Sequence, residues 1–437
     1  MKNKPYPKNK PSGVEWLGEV PEHWNLIRLK SIGRFKAGAG FPDEEQGLEE
    51  EELPFFKVAD MNNADNSVLM KTANNYVSKA TARKLGAYIF KSKTVIFAKV
   101  GAALLLNRRR ILDHDSCIDN NTMGYEIRSA DYKYVYYWLT PIDFGRLANP
   151  GAVPSINDGQ LREISIALPP LPEQQAIAVF LDRETSRIDS LIDKKKKLLE
   201  LLAEQRTALI SRAVTKGLDA GVKLKPSGVE WLGEVPEHWE VSKLKYGSQT
   251  STGLAFSSDD YTDEGIPLIR IGDILQDGTI DIQDSKRLPE EYLRTYHEAT
   301  IRKGDILMAM TGATIGKAGR YQFEEPGLLN QRVCKFVPHL IIDNYFWFIL
   351  KSEQYLEHIV LTGFGGAQPN ISDVQLLDFY AAIPPLSEQH SIAAFLNTET
   401  ARIDALVAKI KSAIGKLQEY RTALISAAVT GKIDLRE

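Results

Sequence analysis

Two stretches of this sequence each read as one long helix with a single apolar seam. In the first, Glu173 to Thr215, the residues Leu181, Ile188, Leu202 and Leu209 fall on a seven-residue repeat, with Lys195 as its polar interruption. Leu191 and Leu198 form a second series beside them. The stretch returns as Glu388 to Thr430, where Leu396, Ile403, Ile410, Leu417 and Leu424 carry the repeat and Leu406 and Ala413 lie alongside. A heptad repeat on a helix is a coiled-coil seam. No proline falls between Glu173 and Thr215, and about 40 residues make a rod of roughly 60 Å. One such rod leaves its seam in water. Two in one chain can bury each other's, which predicts an antiparallel pair.

The rods belong to a larger repeat. The segment PSGVEWLGEVPEHW, Pro11 to Trp24, recurs identically at Pro226 to Trp239, an offset of 215 residues. Glu173 and Glu388 stand at the same offset. The chain is a tandem duplication. Between the matched ends of each half the sequence has diverged, yet a skeleton persists. LPFFKVADM at Leu53 parallels IPLIRIGDI at Ile266, FKSKTVIFAKVGA at Phe90 parallels IRKGDILMAMTGA at Ile301, and Asn120-Asn121 parallels Asn330-Gln331. These short β-branched and aromatic runs, broken by Gly, Asp and Asn, read as strands and turns. YVYYWL at Tyr134 and YFWFIL at Tyr345 read as buried helices. Each diverged stretch closes on a Gly-Ala-x-Pro turn, Gly151 to Pro154 and Gly366 to Pro369, before a double proline leads into the rod.

The predicted fold class is α+β. Two α+β globules are separated by two long antiparallel coiled-coil helices, in a duplicated chain with pseudo-two-fold symmetry. The divisions are residues 1–30 (an arm, expected to be loose over its first ten residues, and the first frame segment), 31–153 (first globule), 154–215 (first conserved region with its helix), 216–245 (linker and second frame segment), 246–368 (second globule) and 369–437 (second conserved region with its helix). A chain of 437 residues exceeds one ordinary core. It has no run of eighteen apolar residues, so no membrane span is expected. Its two cysteines, Cys117 and Cys334, fit neither a disulfide framework nor a zinc site, and a reducing cytoplasm is the simplest setting. A net charge of −3 argues against a blanket nucleic-acid coat but permits local basic surfaces.

WLGEVPEHW, the (I/L)PPLxEQ helix start and the RTALISxAVTxxxD helix end together resemble the specificity subunit of a type I restriction–modification enzyme, over nearly the whole chain. The resemblance implies that the globules are target recognition domains. It implies a non-catalytic subunit that reads double-stranded DNA. The partners it implies are two adenine-N6 methyltransferase subunits and restriction–translocation subunits. S-adenosylmethionine, ATP and magnesium would belong to those partners, not to this chain. A scaffold with two protein-binding globules is the alternative that duplication and rods alone would allow.

Catalytic motifs are missing where they would be needed. The Pro-Pro pairs at Pro169 and Pro384 lack the acceptor and the aromatic of an amino-methyltransferase motif. Phe364-Gly365-Gly366 precedes a rod and not a βα unit. Gly312 to Lys317 reads as a strand-connecting turn, without phosphate-loop spacing. The seven histidines lack metal-ligand spacing. His23 and His238 repeat inside the frame and read as packing or capping. Asp131-x-Lys133 reads as a solvated helix start.

Reading bases takes Arg, Lys, Asn and Gln on rigid turns, with cations at phosphates. In the first globule the candidates are Lys57, Lys99, Arg108, Arg109, Arg110, Asn120 and Asn121. In the second they are Arg270, Thr311, Lys317, Arg320, Asn330, Gln331 and Arg332. Each can equally be a surface charge or a turn-stabilising amide. Gln368 and Asn370 read as structural hinge residues. The Lys194 to Lys197 run reads as a solvated helix face, with contact to spacer phosphates as the sharper alternative. Tyr136, Trp138, Trp347 and Phe348 read as core, and Trp16, Trp24, Trp231 and Trp239 as packing where globule meets rod.

Overall fold

The computed structural model describes residues 4–149, 151, 153–363 and 369–436. The chain forms two compact units, Met1–Lys195 with Ser412–Glu437, and Lys196–Lys411. Each long helix, Leu171–Lys216 and Leu386–Val429, therefore begins in one unit and ends in the other.

In the first unit a five-stranded sheet runs in the order Gly33–Ala37, Thr122–Ile127, Val95–Ala98, Arg109–Leu112, Leu69–Met70, antiparallel except for the last pair. A three-stranded sheet, Cys117–Ile118, Leu53–Phe56, Tyr76–Val77, stands beside it. The strand VIFA at Val95 is buried on both faces, which is why it reads as a continuous apolar run rather than an alternating one. The helix Tyr132–Leu139 buries every residue from Tyr134 onward. Its core joins Phe35, Val95 and Phe97 of the sheet to Ile177, Leu181 and Ile188 of one long helix and Leu424 and Ile425 of the other. In the second unit the strands Ser248–Thr252, Val333–Pro338, Ile306–Ala309 and Ala318–Arg320 form one sheet, and Arg287–Leu288, Ile266–Ile269, Gly327–Leu329 and Thr300–Ile301 another. The helix Asp343–Leu350 takes the place of Tyr132–Leu139.

Within each unit the two long helices run antiparallel. In the first, Asp189 pairs with Arg421 while Tyr134 reaches both Ala167 and Val429. In the second, Arg206 pairs with Asp404 while Tyr345 reaches both Val214 and Ala382. The expected seam residues Leu181, Ile188, Leu202, Leu396, Ile403, Ile410 and Leu424 are buried, and Leu209 and Leu417 are half-buried. The second series is different from the one expected. Leu191 is 40% exposed, and Leu198 and Leu406 are similarly open. The buried partners are Thr185 and Ile192 in the first unit and Thr400 in the second. Leu181, Ile188 and Leu396 are thus followed at four residues, not three, while Ala413 is half-buried beside Ile410 as Ile414 is. Thr185 and Thr400 can sit in an apolar seam because their hydroxyls donate to the carbonyls of Leu181 and Leu396, both at 2.7 Å.

The N-terminal arm is not loose over its described residues. Tyr6 is buried, and Asn9–Pro11 pairs antiparallel with Glu19–Pro21. The Asp434 amide donates to the Lys4 carbonyl at 2.8 Å, so the two chain ends meet inside the first unit.

Candidate nucleic-acid interface

The frame segments earn their identity through one carboxylate. Glu173, in the first turn of its helix, accepts from Tyr6 Oη at 2.6 Å and Trp24 Nε1 at 3.0 Å, and its other oxygen lies 2.8 Å from His23 Nε2. Glu388 repeats this with Trp239 Nε1 at 3.0 Å and His238 Nε2 at 2.6 Å. The tyrosine has no counterpart, because the residue 215 after Tyr6 is Gly221. The glutamine that follows ties in the globule. Gln174 donates to the Pro169 carbonyl at 2.7 Å and accepts from the Asp131 amide at 2.8 Å. Gln389 donates to Pro384 at 2.9 Å and accepts from the Ile342 amide at 3.0 Å. The Glu-Gln pair thus fixes both the frame segment and the buried globule helix to the long helix. Trp24 and Trp239 are fully buried, whereas Trp16 and Trp231 pack edge-on to Trp138 and stacked on Phe379 while staying exposed.

At one end of each globule four chain segments gather around a turn. In the first, Asp119-Asn120-Asn121 is held by bonds from the Asp119 amide to Phe56, from the Lys99 amide to Asn121, and from the Ala39 amide to Ile118. The Ile156 amide also bonds Lys99, and the Gly101 amide bonds Pro154. In the second, the Asn330 amide bonds Ile269, the Met310 amide bonds Arg332, the Leu254 amide bonds Leu329, the Ile371 amide bonds Met310 and the Gly312 amide bonds Pro369. Gly38 and Gly253 make the close approach possible. A Cβ at Gly38 would stand 2.1 Å from the Asp119 carbonyl oxygen, and one at Gly253 2.2 Å from that of Leu329.

These bonds correct the sequence correspondence by one residue. Asp119-Asn120-Asn121 occupies the place of Asn330-Gln331-Arg332, so Asn120 matches Gln331 and Asn121 matches Arg332. Divergent sequence hides this, since the spacing between the matched segments changes within the globule. Asn120, Asn121, Gln331 and Arg332 are exposed, and among the described residues their side chains have no protein partner. Lys57 and Arg270 also correspond, each preceding a short 3-10 turn whose aspartate, Asp60 or Asp273, accepts the Lys57 or Arg270 amide at 2.7 Å. Burial raises the pKa of Asp60, Asp119 and Asp273.

The remaining candidates separate by burial. Arg108 and Lys99 are half-buried, and among the described residues their charged groups have no partner. Arg109 does not belong with them. It is 3% exposed, donates to the Ile142 and Asn107 carbonyls, and lies 3.9 Å over the Phe144 ring; burial pushes its pKa down to about 10. A strand residue between two outward neighbours points inward, so the Arg108 to Arg110 run is no single patch. Arg110 donates to the Met61 carbonyl at 3.1 Å. Arg320 is engaged by Asn344 Oδ1 at 2.7 Å, with its guanidinium over Trp347. Thr311 and Lys317 are half-buried around the Gly312–Thr314 turn, which does connect strands as expected. Asn330 is half-buried, and Asn370 bridges to Thr311. Asp131 caps its helix at the Tyr134 amide, 2.9 Å away, and Lys133 pairs with Asp182. Lys197 pairs with Glu200 at 3.0 Å. Phe364-Gly365-Gly366 and Gln368 lie outside the described residues, as do Ala152 and most of the second Gly-Ala-x-Pro turn. Among the described residues no His/Cys/Asp/Glu group could hold a metal, and no helix is long and apolar enough to cross a membrane.

The sequence profile of the type I restriction modification DNA specificity domain matches residues 21–201 and again 236–416. The chain belongs to this family. Specificity subunits are the non-catalytic, DNA-recognising members of type I systems, so the alternative of a protein-binding scaffold falls away. The type I restriction enzyme MjaVIII specificity subunit of Methanocaldococcus jannaschii is 29% identical over 431 residues, covering 95% of this chain and 94% of that protein. The EcoBI specificity subunit of Escherichia coli is 31% identical over 216 residues, 48% of this chain and 43% of that protein. Among solved structures, a chain of a type I R-M system aligns with a TM-score of 0.70 at 15% identity, covering 94% of this chain and 98% of that one. The HsdS subunit of Thermoanaerobacter tengcongensis aligns at 0.52 and 17% identity, covering 95% and 98%. At these identities the structural likeness speaks for the fold. Both profile matches run from the end of one frame segment through one globule and most of one long helix, so the specificity domain is itself the unit that was duplicated.

Proposed function

We propose that each globule reads one half of a bipartite, asymmetric DNA site and that the long helices set the spacer between the halves. The observation that carries this reading is the equivalent placement of two unlike turns, Asp119-Asn120-Asn121 and Asn330-Gln331-Arg332, each with its last two residues exposed on a rigid support. Amide side chains suit adenine edges and arginine suits guanine, so different turns imply different half-sites. Lys57, Lys99 and Arg108 in the first globule, and Arg270, Thr311 and Lys317 in the second, would position the backbone. In this reading the subunit recruits two adenine-N6 methyltransferase subunits and the restriction subunits. It works in the cytoplasm and binds no cofactor itself. S-adenosylmethionine, ATP and magnesium stay with the partners.

Methylation-site mapping in cells carrying this gene with its methyltransferase tests the proposal. Arg332→Ala should relax one half-site and leave the other unchanged. Seven residues inserted after Lys195 and seven after Ile410 keep the heptad in phase and add roughly 10 Å of helix. The spacer should then lengthen by about three base pairs with both half-sites kept. Relaxation in both halves, or an active lengthened protein with the old spacer, would refute it.

A further inference from the structure

The first globule carries an exposed pair of leucines on an unusually well-braced tip. Gly101, at φ 74°, turns the chain out of the strand Val95–Ala98 into the short helix Ala102–Leu105. Leu104 is buried as the anchor, while Leu105 and Leu106 are 54% and 57% exposed. Asn107 then reverses the chain in the left-handed region, at φ 52°. Its side chain donates to Asp143 Oδ1 at 2.8 Å and accepts from the Phe144 amide at 2.9 Å. Buried Arg109 clamps the same corner by donating to the Asn107 and Ile142 carbonyls. A strained residue and a buried charge are thus spent on holding two leucines in water. Leu105 lays its Cδ2 against Gly145, 3.0 Å from where a Cβ there would stand, yet it stays more than half exposed, as Leu106 does.

Their neighbours indicate what covers them. Lys99, three residues before the helix, bonds the recognition turn at Asn121 through its amide, at 2.9 Å. Arg108 follows the tip directly. Neither cation has an acidic partner among the described residues. Apolar side chains between unpaired cations, next to a base-reading turn, match a duplex: phosphates for the cations, base faces for the leucines. The second globule carries Gly316 and Lys317 at the same spacing from Gly312 as Leu105 and Leu106 from Gly101, and Ile315, the counterpart of Leu104, packs toward Gly363.

We propose that Leu105 and Leu106 form an apolar wedge that enters DNA between base pairs at the half-site read by the first globule, and only there. The inference rests on the DNA-reading role argued above. Apolar wedges of this kind unstack a base step and kink the duplex. An adenine to be methylated at N6 must leave the stack, so a loosened step in one half-site would ease extrusion there.

The test uses the full-length chain and duplexes of the mapped methylation site, with 2-aminopurine placed in turn along both half-sites. Wild type should raise fluorescence at one step of the first half-site and at none in the second. Leu105→Ser with Leu106→Ser should abolish that signal and weaken binding by about tenfold, the loss expected from leaving two leucines unburied. The salt dependence should not change, since no phosphate contact is lost. Leu105→Met with Leu106→Met should keep signal and affinity, which separates lost wedging from misfolding. Unchanged fluorescence and affinity in the serine variant overturn the wedge. So does a serine variant that binds DNA normally but no longer retains the methyltransferase, which would make the tip a protein contact. If wild type binds no duplex in preference to any other, the DNA-reading role fails, and the wedge with it.

Discussion

Removing one carboxylate should unfold the two units to different extents. The Glu173 side chain is 6% exposed and serves two buried donors, Tyr6 Oη and Trp24 Nε1, besides His23. Glu388 is 40% exposed and serves Trp239 and His238 alone. A buried donor left without an acceptor costs about 1–3 kcal/mol. Glu173→Ala strands two such donors where water is excluded, so the cost should be about 3–5 kcal/mol. Glu388→Ala strands one beside an opening that admits water, and about 1–2 kcal/mol is expected on the same reasoning. For a unit of roughly 200 residues each kcal/mol shifts the midpoint by about 2–4 °C, so Glu173→Ala should lower it by on the order of 10 °C. Differential scanning calorimetry of both variants measures this. A control places Glu173→Ala in a Tyr6→Phe, Trp24→Phe background, where the donors are gone and the added cost should fall by roughly 1–3 kcal/mol. Equal shifts for the two glutamates, or less than about 1 kcal/mol for Glu173→Ala, would show that the carboxylate does not hold the frame segment to its helix.

Three further outcomes follow from particular contacts. Because the Asp434 amide bonds the Lys4 carbonyl, joining the ends through a short linker and reopening the chain near Gly221 should give a folded permutant that still directs methylation; a permutant that fails to fold at every linker length would contradict the placement of the ends. Arg108→Ala should reduce the salt slope of DNA binding by about one unit with stability unchanged, whereas Arg109→Ala should destabilise the first unit by about 3 kcal/mol, because the part-buried Asn107 and Ile142 carbonyls lose a charged donor. Salt-titrated binding and urea denaturation distinguish them, and the reverse pattern would place Arg109 at the DNA. The third concerns pH. Burial raises Asp60 and Asp119, and Asp119 repels Asp60 further. A carboxylate raised in the folded state contributes stability that is full below its ordinary pKa and lost as pH rises through the raised one. Asp119→Asn, the amide found at Asn330, should therefore shift the melting temperature more favourably at pH 7 than at pH 4. A shift more favourable at pH 4 would refute the burial argument.

Repetition made the frame legible from sequence. Fourteen identical residues, and helices at the same offset of 215, announce a duplicated domain with rods. The same signal could have found more. Gly38 and Gly253 stand at that offset inside otherwise diverged sequence, and each is required by a carbonyl about 2 Å from where a Cβ would sit. Glu173 and Glu388 were visible as repeats, but their role as acceptors for Trp24 and Trp239, some 149 residues earlier in the chain, was not.

Local pattern sets periodicity and element type because those depend on neighbours a few residues away. It left undecided every choice between two locally equivalent options. Leu191 and Ile192 are both apolar and both fit a heptad step from Ile188; packing buries Ile192 and leaves Leu191 in water. Arg108 and Arg109 are chemically identical, and only the pleat of their strand sends one outward and the other onto Phe144. The sequence by itself determined the duplication, the rods and the class of side chain available for reading DNA. Which side chains face outward on one surface, and which residue of one turn answers to which residue of the other, was decided by tertiary structure, because burial and register are set by partners beyond the reach of local pattern, such as Phe56 for Asp119 and Phe144 for Arg109.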